Sequence, residues 1–163
     1  MHGRLVEFLS ARQATYEIVH HAAAPTAQEQ AAASHTPGWS FAKVLIVKER
    51  DGLVMAVLPA CCVLDLNRLK GLVGHGELRL ATVEEIHGAI PDCAPGAIPP
   101  FGALFGLRVF LDRALLNARE VTMPAGDPGT LLRMRAPELR RLADGRVGDF
   151  AVFESLVRAG GRR

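Results

Sequence analysis

The sequence predicts an α+β fold in which a curved, mostly antiparallel and partly barrel-like sheet is surrounded by short helices. Three observations predict it. Hairpin-type apolar runs are mixed with scattered helical patterns and do not alternate as strand–helix–strand units. Gly and Pro together make up 26 of the 163 residues and punctuate short elements throughout. The chain is 49% hydrophobic and 22% charged, a balance that supports one packed core. The length is that of one ordinary domain, expected to span residues 1–163.

Each element has its own signal. Leu5, Val6, Phe8 and Leu9 recur at helical spacing within Gly3 to Ala14. Tyr16 to His20 reads as a short strand. Thr26-Ala27-Gln28-Glu29 has the capping-box pattern and opens an alanine-rich helix that ends before Pro37-Gly38. Phe41 to Lys48 and Leu53 to Leu58 are apolar runs around Glu49-Arg50-Asp51-Gly52, the strongest hairpin signal in the chain. Leu64 to Val73 reads as a helix stopped by Gly74. Leu78 to Leu80 reads as a strand, and Thr82-Val83-Glu84-Glu85 opens another helix with a second capping box. Residues 91–102 hold too much Pro and Gly for a regular element and form a rigid loop. Leu107 to Leu111, Glu120 to Met123 and Thr130 to Met134 read as strands. Pro137 sits at a first helical turn before Glu138 to Leu142, and Asp149 to Ala159 reads as a last amphipathic helix.

Composition excludes several classes. No apolar run reaches the roughly 18 residues of a membrane-spanning helix, and no leader pattern opens the chain, so a cytoplasmic location without membrane association is expected. Three cysteines, two of them adjacent (Cys61, Cys62) and one distant (Cys93), match neither a disulfide framework nor a zinc site. No metal-ligand spacing, phosphate-binding loop or nucleophile elbow occurs, so no metal and no cofactor are expected. Residues 1–129 carry 11 basic and 13 acidic side chains, and residues 130–163 carry 8 arginines and 4 acids. That mild basic tail suits a solvated helix surface or weak phosphate contact, not a duplex-DNA binder.

Lysine is scarce, at 3 residues against 16 arginines. On the Phe41 to Lys48 strand, alternation puts Lys43 on one face with Leu45 and Val47. An ammonium there needs an acceptor, an anion or a wet cleft, unless it snorkels out at the strand end. The second candidate is the Gly96-to-Gly102 loop. Its glycines let a ligand approach the backbone, and Gly96, Ala97, Ile98, Phe101 and Gly102 carry N–H groups that could face an oxyanion; Pro99 and Pro100 carry none. Taken alone, this loop reads first as a structural crossover. His20, His21 and His35 fit surface or hydrogen-bonded roles, and Asp112 fits a helix N-cap or a site acid. Cys93 has no assured base beside it.

Together these pieces resemble the YbaK-like, prolyl-tRNA synthetase-associated editing domains over about residues 5–155. The resemblance rests on Tyr16 with His20-His21, on Thr26-Ala27-Gln28-Glu29 and on Ala42-Lys43-Val44-Leu45-Ile46-Val47-Lys48. It continues through Ala56-Val57-Leu58-Pro59-Ala60, Leu64-Asp65-Leu66, the loop Gly96-Ala97-Ile98-Pro99-Pro100-Phe101-Gly102 and Val109-Phe110-Leu111-Asp112. It implies hydrolysis of mischarged aminoacyl-tRNA in trans, with the acceptor end of aminoacyl-tRNA as partner and an aminoacyl-tRNA synthetase as a further candidate partner. It implies that Lys43 is required for deacylation and that the loop from Gly96 to Pro100 positions the ester. On the substrate-binding side it implies Ala97, Ile98, Pro99, Pro100, Phe101, Gly102, His21, Thr26, His35 and Asp112. Pro99 stands where a small polar residue is common in the family, which leaves Ala, Ser, Thr and Cys open as the edited amino acid. Two other readings compete: a non-catalytic module that binds the tRNA acceptor end or a nucleotide, and a small-molecule sensor or scaffold. The hydrolase reading requires Lys43 and the Gly96 loop to meet at one cleft.

Overall fold

A computed structural model describes residues 3–74 and 76–155. The chain opens with helix α1 (Gly3–Ala11), strand β1 (Glu17–His20) and helix α2 (Ala27–Ala33). A hairpin follows, β2 (Ala42–Glu49) and β3 (Gly52–Pro59), then β4 (Cys62–Leu64), α3 (Leu66–Val73), β5 (Arg79–Leu80) and α4 (Val83–Ala89). The last part holds β6 (Arg108–Asp112), β7 (Glu120–Pro124), β8 (Thr130–Arg135), α5 (Ala136–Ala143), β9 (Arg146–Gly148) and β10 (Ala151–Phe153).

Among the described residues the strands form a five-stranded sheet ordered β5-β2-β3-β6-β9, a three-stranded sheet ordered β1-β8-β7 and a β10-β4 pair. Only β3–β6 and β6–β9 run parallel; the other pairings are antiparallel. A parallel bridge between Phe41 and Thr122 links the two larger sheets, so the structure curves toward a barrel without closing.

The central hairpin is buried on both faces. Ala42, Ile46, Met55 and Val57 join a core with Leu5, Phe8 and Leu9 of α1 and Leu139 and Leu142 of α5. Val47, Val54, Ala56 and Leu58 pack on the other face against Leu69 and Val73 of α3 and Phe150. This explains the continuous apolar runs, which period-2 alternation does not describe.

Capping fixes the helix starts. Thr26 and Glu29 complete the reciprocal box at α2. Asp65 accepts from the amides of Asn67 and Arg68, so α3 begins at Leu66 and not at Leu64; Gly74 ends it in the left-handed region at φ 104°. At α4 the box is half made. Thr82 accepts from the Glu85 amide, but the Glu85 carboxylate takes Arg79 in a two-pronged pair at 3.2 and 2.6 Å. The expected helix from Asp149 is a further correction: Ala151–Phe153 is a strand on β4. The Asp112 carboxylate accepts from the amides of Phe150 and Ala151, both at 2.8 Å, and holds that stretch extended. Residues 156–159 of the expected helix lie outside the described residues.

Candidate active site

The site begins with a gap in a sheet edge. Glu49 pairs with Gly52 across the two-residue turn, and the Ala60 amide donates to the Phe41 carbonyl. Odd-numbered residues of β2 therefore point their backbone groups at β3, and even-numbered ones point away. On that outer edge β5 covers only the far end, pairing with Val47 and Lys48 and bonding the Ile46 carbonyl through the Ala81 amide. The Val44 N–H and C=O thus face an uncovered edge, and Val44 lines the two adjoining cavities there.

Lys43 comes off β2 beside this gap. Its Nζ donates to the Cys62 carbonyl at 2.5 Å. Burial lowers its pKa; the neighbouring Cys62, Glu154 and Cys61 oppose that shift. The ammonium has met the acceptor that its apolar face required. Burial also pushes the Cys62 thiol up to about 12 and the Cys93 thiol up to about 11, so neither is a thiolate at neutral pH.

The 96–102 loop divides in function. Gly96 has φ +75°, and a Cβ there would stand 2.8 Å from the Pro25 carbonyl oxygen, so only glycine fits. Its carbonyl accepts from Gln30 Nε2 at 3.1 Å. Gln30, 3% exposed, donates equally to the Ala24 carbonyl at 3.1 Å and so fastens the segment before α2 to the Gly96 loop. Sequence reasoning missed this residue; Gln30 is one of two glutamines in an alanine-rich helix, and nothing local distinguishes it from Gln28. Ala97 is fixed by its amide to Ala94 (3.0 Å) and its carbonyl to the Gly126 amide (2.7 Å). Its N–H is therefore spent inside the loop. The amides of Gly96 and Ile98 donate to no protein acceptor among the described residues.

Lys43, Gly96 and Ile98 line one cleft of about 150 Å³ with Ala27, Val44, Leu45 and Pro124. A larger apolar hollow of about 270 Å³ adjoins it through Val44, Leu45, Gly96 and Ile98, and runs on between Leu80, Ala81, Val83, Ile86, Ile90 and Cys93.

The remaining expected binding residues lie elsewhere. Pro99 and Pro100 are buried and line neither cavity. Phe101 is fully buried and stacks on Phe8 with ring centroids 5.3 Å apart. A Cβ on Gly102 would strike the Leu107 carbonyl oxygen, so this glycine serves packing. Thr26 is consumed as a cap, and its neighbour Ala27 reaches the cleft instead. His35 is exposed at φ +54° beyond α2. His21 holds the Ala22 carbonyl through Nδ1 at 2.5 Å, while its buried Nε2 has no partner among the described residues; it lines neither cavity. Asp112, 3% exposed, accepts from the amides of Ala114, Phe150 and Ala151, which occupies both its oxygens. These bonds cap the turn after β6 and tie it to the 150–151 stretch. No group of three or more metal-ligating side chains occurs among the described residues.

The model of the aminoacyl-tRNA editing domain family matches residues 21–142. The chain belongs to that family. Its fold is similar to a crystal structure described as a proposed trans-editing enzyme for prolyl-tRNA synthetase, at 31% identity and a TM-score of 0.80, covering 91% of this chain and 95% of that one. A hypothetical protein, APE2540, matches at 25% identity and a TM-score of 0.82, over 91% of this chain and 99% of that one. A proposed signal transduction protein from Marinobacter aquaeolei VT8 matches at 20% identity and a TM-score of 0.69 over 91% of this chain but 30% of its own, and shares the fold alone. No curated protein matches the sequence. No helix among the described residues is long and apolar enough to cross a membrane.

Proposed function

We propose that this editing domain hydrolyses the ester of mischarged aminoacyl-tRNA in trans, in the cytoplasm, acting on the charged acceptor end released by or presented from a synthetase. One observation carries the reading: Lys43, Gly96 and Ile98 line a single cleft of about 150 Å³. Likeness over 95% of the length of a proposed trans-editing enzyme supports action without an attached synthetase body.

The chemistry is modest because the substrate is an activated ester. The amides of Gly96 and Ile98 supply donors for the carbonyl oxygen as it becomes an oxyanion. Lys43 orients the terminal ribose or phosphate. Water attacks the carbonyl carbon, the bond to the ribose oxygen breaks, and a proton from water ends on that oxygen, assisted by the neighbouring ribose hydroxyl. The free amino acid and uncharged tRNA leave. The cleft has room for a small acyl group, which suits Ala, Ser, Thr or Cys; exclusion of a larger one by clash is a stronger filter than preference among methylenes.

A panel of tRNAs mischarged with Ala, Ser, Thr or Cys tests this. The wild type releases free amino acid catalytically, and Lys43→Ala, still folded, does not. Binding without release assigns the chain to the non-catalytic tRNA-end module instead, and a fully active Lys43→Ala protein removes the proposed chemistry.

A further inference from the structure

We propose that Cys61 and Cys62 form an oxidisable pair: peroxide closes them into a vicinal disulfide that withdraws the carbonyl anchoring Lys43, and thiols reopen it. The pair stands on its own geometry; only the expected loss of deacylation rests on the hydrolase reading.

Neighbouring side chains within a strand point to opposite faces. Cys61 escapes that rule, because it sits in the turn between β3 and β4. The Cys62 thiol interacts with Cys61 through charge and a hydrogen bond. That bond favours the Cys62 S–H, so Cys62 donates and the Cys61 sulfur accepts. Cys61 is partly exposed and within reach of a small oxidant, whereas Cys62 is buried. The third cysteine is out of range. Cys93 packs on the α1 and α5 side of the central sheet, and the pair packs on the α3 side.

The backbone connects the pair to Lys43. The Asp65 amide donates to the Phe150 carbonyl and the Glu154 amide to the Cys61 carbonyl, so odd-numbered residues here face β10. Cys62 points its carbonyl the other way, where Lys43 Nζ meets it at 2.5 Å. The Cys61 carbonyl accepts only at 3.4 Å, so the Cys61–Cys62 peptide is lightly held. Adjacent Cα atoms stand about 3.8 Å apart, closer than the roughly 4.4 Å at which disulfides usually begin. Closing the ring therefore twists this peptide and turns the Cys62 carbonyl away from Lys43. The same strain makes the bond easy to reduce.

The chemistry balances with hydrogen peroxide as the oxidant. The Cys61 sulfur attacks one peroxide oxygen, the O–O bond breaks, and the leaving hydroxide takes the thiol proton as water. The Cys62 sulfur then attacks the sulfenic sulfur of Cys61, the S–O bond breaks, and a second water carries off the Cys62 proton. The thiol pair loses two electrons, and one peroxide is reduced to water.

The whole protein, reduced and then treated with hydrogen peroxide, is read by peptide mapping after alkylation. Cys61 and Cys62 should lose both alkylatable thiols and two hydrogen atoms, with Cys93 still alkylated and dithiothreitol reversing the change. Lys43 should gain reactivity toward acetic anhydride severalfold relative to Lys48 and Lys70, as its acceptor withdraws. Deacylation should fall roughly tenfold and return with dithiothreitol. Cys61→Ser should keep its activity under peroxide, and Cys62→Ala should stop at a Cys61 sulfenic acid that dimedone traps. Oxidation of the wild type that runs on to sulfinic acid, or that links two chains, overturns the pair. A disulfide that leaves Lys43 labelling unchanged overturns the coupling, as does a Cys61→Ser protein inactivated as fast as the wild type. A reversible disulfide with raised Lys43 labelling supports the inference even in a chain that deacylates nothing, a result that would sink the hydrolase reading alone.

Discussion

Two polar regions on the central sheet have opposite characters. At Asp112 on β6 every offered acceptor is used: the carboxylate takes three backbone amides and closes off from solvent. At Lys43 on β2 the account is left open: one carbonyl is met, two loop amides have no acceptor among the described residues, and Val44 faces a gap in the sheet edge. A saturated polar knot holds a fold together, because any missing partner leaves a desolvated donor. An unsaturated one beside a cavity is where a ligand's polar groups can be received. What separates the two is how far their hydrogen-bond partners are already satisfied.

The sharpest break of this contrast is Lys43→Ala. Deacylation should fall by roughly a thousandfold, the scale on which lost positioning and charge stabilisation act, while the thermal unfolding midpoint stays within a few degrees. Asp112→Ala should do the reverse. Leaving three amides without their acceptor costs about 3–5 kcal/mol, which lowers the midpoint by roughly 10 °C in a chain of this size, with activity retained at low temperature. If Asp112→Ala instead abolished activity in a protein of undiminished stability, the knot would belong to the site.

The two loop glycines repeat the contrast on a smaller scale. Gly96→Ala puts a side chain into the left-handed region against the Pro25 carbonyl, a strain of about 1–2 kcal/mol, and should lower kcat/KM roughly tenfold along with a drop of a few degrees in the melting midpoint. Gly102→Ala should lower the melting midpoint by several degrees and leave KM alone, since its neighbours are Leu107 and Val109 of the core. Smallest of all is a shift along the pH axis. Burial holds the Lys43 pKa below that of an ordinary lysine. The ammonium is present below that lowered pKa and lost as pH rises through it. The alkaline limb of kcat/KM should therefore fall earlier than free lysine titrates, and Lys43→Arg, if it retains measurable activity, should move that limb upward.

The sequence by itself was enough for the elements whose causes are local. The hairpin around Asp51-Gly52, the capped start at Thr26 and the stop at Gly74 rest on interactions a few residues apart. It also pointed to Lys43 as an ammonium in need of a partner, and to the glycine-rich loop as a backbone approach. The motif did not reveal that its two ends differ, because Phe101 is claimed by Phe8 from the first helix and Gly96 by Gln30 from the second. Three-residue strands such as Cys62–Leu64 and Ala151–Phe153 have no period to read, and exist because they find each other. The role of Asp112, the amide bridge of Gln30 and the gap beside Val44 were decided only by tertiary structure. Each depends on which distant backbone groups are already satisfied, a property of the assembled chain that no run of neighbouring residues encodes.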